Sequence, residues 1–197
     1  MKVAEIFRSI QGEGNFLGVP ATFVRFMGCN LKCAFCDTKN TWGENNEAKD
    51  LSVDDIINAV KLADNTLVVF TGGEPTLQAD LAELIDKLRM QNFVCAIETN
   101  GTQPTPQTDW VTCSPKADAN YNINILCRPN ELKYVVTPEF DAEVAIPEEI
   151  RKLYKGKIWL QPEGSDMANM WQKCYKLAMR DPRLRVGVQL HKLMEVE

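Results

Sequence analysis

Short apolar runs rich in β-branched residues alternate with segments whose apolar residues recur at helical spacing, and no other feature constrains the chain as much. Strands are expected at Thr22–Met27, Leu67–Phe70, Phe93–Ile97, Leu132–Val136, Ile158–Leu160 and Val186–Leu190, with a weaker run starting at Trp110. Between the first two, Ser52-Val53-Asp54-Asp55 reads as a capping-box-like helix start. Val53, Ile56, Ile57, Val60 and Ala63 then follow on one face. Leu77, Leu81, Leu84, Ile85 and Leu88 form a second such stripe, and Met167, Met170, Trp171, Cys174, Leu177 and Ala178 a third.

This alternation is the pattern of parallel βα units. A unit needs at least about 25 to 30 residues for strand, helix and two loops, so the chain accommodates about six and not eight. Residues 101–130 carry Pro104, Pro106, Pro115 and Pro129, which argues against a crossover helix there. The expected fold is α/β: one domain over residues 1–197 forming an incomplete parallel (β/α)6-type barrel, poorer in helix in its second half. Chemistry in such a barrel belongs at the C-terminal strand ends, where the loops converge.

A net charge of −5 gives no footprint for nucleic acid. Lys2, Glu5 and Arg8 interrupt the apolar positions of the first ten residues, unlike a secretory signal, and no stretch reaches membrane-spanning length. A cytoplasmic protein is expected. Of the seven cysteines, three lie within Cys29-Asn30-Leu31-Lys32-Cys33-Ala34-Phe35-Cys36, directly after the first expected strand, which points to reduced thiols and metal binding. Thiolates suit iron-sulfur clusters or zinc. A structural zinc site closes with four protein ligands, and no Cys or His stands near the three. Cys95, Cys113, Cys127 and Cys174 read as small buried apolar residues.

The CxxxCxxC spacing resembles the radical S-adenosylmethionine (SAM) superfamily. That resemblance implies a barrel of the radical SAM kind and a 4Fe-4S cluster on Cys29, Cys33 and Cys36, with one iron left open for SAM. Thr71-Gly72-Gly73-Glu74-Pro75 follows the second expected strand and resembles the element that contacts the SAM amino group. By the same resemblance Phe35, Cys36, Asp37, Gly73, Glu74, Glu98, Ser114, Pro115, Lys116 and Gln161 are candidate SAM contacts. Taken by themselves, Glu98-Thr99-Asn100-Gly101 and the Gly-Gly turn also read as plain strand-end turns.

Outside these elements, Phe7-Arg8-Ser9-Ile10-Gln11-Gly12-Glu13-Gly14, Arg25, Cys36-Asp37-Thr38, Ser114-Pro115-Lys116 and Gln189-Leu190-His191-Lys192 are similar to 7-carboxy-7-deazaguanine synthases along nearly the whole chain. Membership implies conversion of 6-carboxy-5,6,7,8-tetrahydropterin to 7-carboxy-7-deazaguanine with loss of ammonia, using SAM and Mg2+. It also implies a homodimer and an electron donor such as flavodoxin. Ile10, Gln11, Gly12, Arg25, Thr71 and His191 become substrate-binding candidates, and Thr38 a Mg2+ ligand. A lone histidine such as His191 is by default a structural hydrogen bonder. Two rivals share the cysteine loop: a glycyl-radical activating enzyme acting on a large protein partner, and a non-catalytic iron-sulfur or zinc module.

Overall fold

Every strand of the barrel wall has to satisfy two surroundings, helices outside and a lumen inside, and the side chains sort accordingly. The computed structural model describes residues 1–43, 48–116, 121–126 and 128–196. β1 (Lys2–Ile10), β2 (Pro20–Phe26), β3 (Lys49–Asp50), β4 (Leu67–Gly72), β5 (Val94–Thr99), β6 (Trp110–Cys113), β7 (Glu131–Val136), β8 (Lys157–Pro162) and β9 (Leu184–Val186) form one sheet. Its order is β3-β1-β2-β4-β5-β6-β7-β8-β9. From β2 to β9 every neighbour is parallel. Among the described residues no ladder joins β9 back to the other edge, so the sheet is the expected open barrel.

On the outer face, Val24, Phe26, Val68, Phe70, Cys95 and Ile97 pack under α1 (Val53–Leu62) and α2 (Leu81–Arg89). Helix α1 begins as its sequence indicates, with the Ser52 hydroxyl and the Asp55 carboxylate capping each other's backbone N–H. Leu77 does not join α2; it ends a separate 3-10 turn, Pro75–Leu77, that Pro75 starts. The second half is covered by α3 (Ile123–Leu126), α4 (Ala142–Ala145), α5 (Glu148–Leu153) and the longer α6 (Met167–Ala178). These pack over Leu132, Tyr134, Val136, Ile158 and Leu160. Cys95, Cys113 and Cys174 are buried, and burial pushes each thiol pKa up to about 12. Cys127 lies outside the described residues.

Three further expectations are corrected. Among the described residues the second half is not poorer in helix than the first, and the short α3 lies inside the proline-bearing stretch 101–130. β1 pairs antiparallel with β2, an addition the periodicity does not announce, because the register shifts between Val3 and Glu5 and breaks the alternation. The last strand runs Leu184–Val186 rather than Val186–Leu190, and the chain then turns into α7 (Leu190–Leu193). His191 is therefore on a helical turn and not at a strand end. No helix among the described residues is long and apolar enough to cross a membrane.

Because β1 runs against β2, it ends beside the start of the parallel strands, at the lower end of the barrel. The loop that follows enters the lumen from below. Phe16 meets Trp110 edge-to-face at 5.2 Å over Ala21, Leu67, Val69 and Ala96, giving an apolar floor.

Candidate functional site

Above that floor the lumen opens into a cavity of about 850 Å³ at the C-terminal strand ends. Every residue that the sequence singles out for metal or ligand contact borders it, except Glu74 and Pro115. The cysteine loop leaves β2 through Gly28, whose φ of +97° suits glycine alone, and closes on a 3-10 turn as Gly28 N and Cys29 N donate to Thr41 O and Trp42 O. Cys29, Cys33 and Cys36 are half-buried and face the cavity. Among the described residues no three His, Cys, Asp or Glu side chains converge on one metal-ion position. The fit to a 4Fe-4S cluster rests on three soft donors on one loop, all open to the same cavity.

The two glycines after β4 answer to backbone packing. A Cβ on Gly73 would stand 2.0 Å from Gly28 O, and one on Gly72 2.3 Å from Phe26 O. Gly73 N and Glu74 N donate to Phe26 O and Gly28 O, so this turn clamps the root of the cysteine loop. Glu74 points away from the cavity and is fully buried. One carboxylate oxygen accepts from Thr76 Oγ1 (2.6 Å) and Thr99 Oγ1 (2.7 Å), the other from Asn100 N (2.7 Å). Its place in the structure is a tie between two strand ends. Pro115 lies between cavity-lining Ser114 and Lys116 without lining the cavity itself.

Lys116 is half-buried, donates to Ser114 Oγ at 2.5 Å and lies 5.7 Å above the Phe35 ring. Burial, and then the nearby Lys133 charge, hold its pKa below the ordinary lysine value. Arg25 stacks on Phe7 at 5.3 Å while its Nε donates to Glu5 at 2.6 Å, which fixes the guanidinium plane beside Thr71 on the next strand. Thr38 Oγ1 is 3.6 Å from Cys36 Sγ. Asp37 pairs with Lys192 at 2.9 Å and joins the cysteine loop to α7.

The centre of the lumen is charged. Lys133 Nζ sits between Glu13 (2.5 Å) and Glu98 (2.7 Å), with all three side chains less than a fifth exposed. Gln11 Nε2 donates to Glu98 at 3.2 Å, and Gln189 Nε2 to Glu13 at 2.8 Å. Burial raises the proton affinity of both carboxylates, but the outcomes differ. The lysine and the Gln189 amide more than offset burial at Glu13, whose pKa falls below the ordinary value. At Glu98 burial and the nearby Glu13 charge prevail, and the pKa rises. His191 Nδ1 is so close to Gly12 that a Cβ there would stand 1.9 Å from it, and burial lowers the imidazole pKa.

Glu13, Lys133 and Gln189 were not among the sequence-derived candidates for ligand contact. The signal for Lys133 is the alternation Glu131-Leu132-Lys133-Tyr134, which marks a strand with one polar face. Glu13 and Gln189 stand inside the segments that carry the resemblance.

Residues 23–116 match the Radical SAM superfamily. The chain is 42% identical over 197 residues to the 7-carboxy-7-deazaguanine synthase of Bacteroides thetaiotaomicron, covering 99% of this chain and 98% of that one. The synthase of Aquifex aeolicus is 35% identical over 206 residues, covering 98% of this chain and 93% of its own. In structure, the chain is similar to the crystal structure of QueE from Escherichia coli, with a TM-score of 0.84, 32% identity and 96% and 94% of the two chains covered. Identity at this level over nearly the full length, joined to the cysteine loop and the open barrel, makes the chain a member of the 7-carboxy-7-deazaguanine synthase family within the radical SAM superfamily.

Proposed function

We propose that this chain converts 6-carboxy-5,6,7,8-tetrahydropterin to 7-carboxy-7-deazaguanine with release of ammonia, a lyase step on the route to queuosine and other deazapurines. The observation that carries the reading is that one cavity joins the three thiols to the polar ring of Gln11, Glu13, Glu98 and Lys133. Cys29, Cys33 and Cys36 would hold a 4Fe-4S cluster, which would supply the electron for reductive cleavage of SAM to methionine and a 5'-deoxyadenosyl radical.

The residues of the chain do the placing. Ser114, Lys116, Gln161 and the Gly73 backbone border the same cavity as the cysteines and receive SAM, with Lys116 taking its carboxylate. A pterin presents a planar edge of donors and acceptors, which the Gln11 amide and the Glu13 and Glu98 carboxylates match. Arg25 takes the substrate carboxylate in a charge-assisted pair. Thr38 would offer a hard oxygen ligand to Mg2+. Ile10, Gly12, Thr71 and His191 complete the wall. Radical chemistry of this kind depends on holding the reacting carbon close and keeping water out, which a half-enclosed lumen achieves.

In this reading residues 1–197 act as one domain, since a single sheet runs through them. The protein works in the cytoplasm as a homodimer, with an electron donor such as flavodoxin. Exposed Tyr175 and Met179, at the outer end of α6, are apolar surface for the dimer.

The test is anaerobic reconstitution with iron and sulfide, then reduction and incubation with SAM, Mg2+ and 6-carboxytetrahydropterin, read by mass spectrometry. Formation of the deazaguanine acid with ammonia is expected. An intact cluster that cleaves SAM but leaves the pterin untouched would sink the substrate assignment and favour a protein-activating role. Arg25→Ala removes an ion pair to the substrate and raises its KM roughly 10- to 100-fold. An unchanged KM would remove Arg25 from the carboxylate site.

A further inference from the structure

Glu131 opens β7 with its carboxylate turned into the lower lumen, and only 2% of the residue is exposed. It does not border the cavity. Oε1 accepts from Thr112 Oγ1 (2.8 Å), Trp110 Nε1 (3.2 Å) and Asn15 N (3.3 Å), and Oε2 accepts from Trp159 Nε1 at 2.6 Å. These four donors are all uncharged. They come from β6, from β8 and from the loop after β1, so one side chain gathers three parts of the barrel. Gly14 makes the close approach feasible: its φ is +64°, and a Cβ would stand 2.4 Å from Oε1.

The loop tied down here is the one that serves the cavity. Within four residues before Asn15 it places the Gln11 amide on Glu98 and the Glu13 carboxylate on Lys133 and Gln189, and it offers Gly12 O to Leu190 N at 2.9 Å. Asn15 itself also accepts from Lys157 at the foot of β8. A shift of Gly14 and Asn15 therefore changes the height of both pterin-facing groups in the lumen.

We propose that Glu131 is a positioning residue for the pterin site. By holding Gly14 and Asn15 at the base of the barrel, it sets where Gln11 and Glu13 stand, and so how deep the substrate lies beneath the radical. The proposal rests on the pterin reading of the cavity, but its anchoring part does not.

Two variants test it, each reconstituted with iron and sulfide in the full-length chain. Glu131→Gln keeps the shape and turns an amide N–H2 toward one of the indole donors. Gly14→Ala drives the loop off Oε1 from the other side and decides the matter if the first variant does not fold. Expected in both is roughly tenfold faster amide hydrogen exchange over residues 11–16 than in the unaltered protein, with exchange in β4 and β5 unchanged. With the pterin, KM rises roughly tenfold and more 5'-deoxyadenosine is released per product formed. Folded variants with unchanged exchange in that loop would overturn the anchoring role, whatever the substrate. Faster exchange with KM and coupling unchanged would overturn the positioning role and leave Glu131 a structural tie. If the unaltered protein fails to turn over the pterin, the function above falls, and the exchange data still decide the anchor.

Discussion

The lower and upper halves of the lumen bury carboxylates by opposite means, although Glu131 and Lys133 stand two places apart on the same strand. Below, Glu131 is surrounded by neutral donors, two indoles, a hydroxyl and a backbone N–H. Above, Glu13 and Glu98 share one ammonium, and two acids with one base leave the group short of positive charge. Neutral donors hold a carboxylate in a fixed direction without inviting another ion. A shared ammonium leaves the second carboxylate only partly compensated, ready for a ligand with N–H groups or positive charge of its own. The difference separates a region built to stay closed from one built to be completed by what it binds.

The most drastic way to break that comparison leaves both halves in place. Cys33→Ala removes the iron and all detectable 5'-deoxyadenosine formation, measured by metal analysis and by chromatography after reduction with SAM. Lys133→Met strikes the upper half directly. Leaving two buried carboxylates unpaired destabilises by about 3 to 5 kcal/mol, read from chemical denaturation. Both carboxyl pKa values then lie above their unfolded values. An acid with a raised folded pKa stabilises at low pH and loses that contribution as pH rises through the folded value, so the deficit of this variant is larger at pH 8 than at pH 5. A deficit that shrinks as pH rises would show the lysine is not the counter-ion. Glu131→Gln leaves one donor facing another and destabilises by about 1 to 3 kcal/mol. Asp37→Asn unlinks the cysteine loop from Lys192 at an exposed edge, where solvent screening holds the effect below about 1 kcal/mol.

Much of this architecture is legible in local pattern. The Ser52–Asp55 cap, the stripes of α1 and α6 and the cysteine loop all follow from short-range spacings, and the open parallel barrel from their alternation along a chain too short for eight units. β1 is obscured because a bulge disturbs its alternation and much of the strand is only half-buried. The central ion pair joins residues 120 positions apart, and Gln189 reaches Glu13 across 176, so no local signal connects them. The Gly-Gly-Glu-Pro turn teaches a different lesson. Its position beside the site is readable, yet only the fold reveals that the Glu74 carboxylate turns inward to hold Thr99 and Asn100.

The seam of the open barrel has a kinetic consequence. Among the described residues no strand ladder bridges it; Leu190 N on Gly12 O, Gln189 on Glu13 and Lys192 on Asp37 do so with side chains and one backbone bond. Contacts between segments so far apart in the chain close the longest loops in the molecule and are favoured only after the rest is in place. The barrel wall can therefore consolidate before its pocket does, and a nascent chain in which residues near 190 are still to be made has neither closed seam nor sealed lumen.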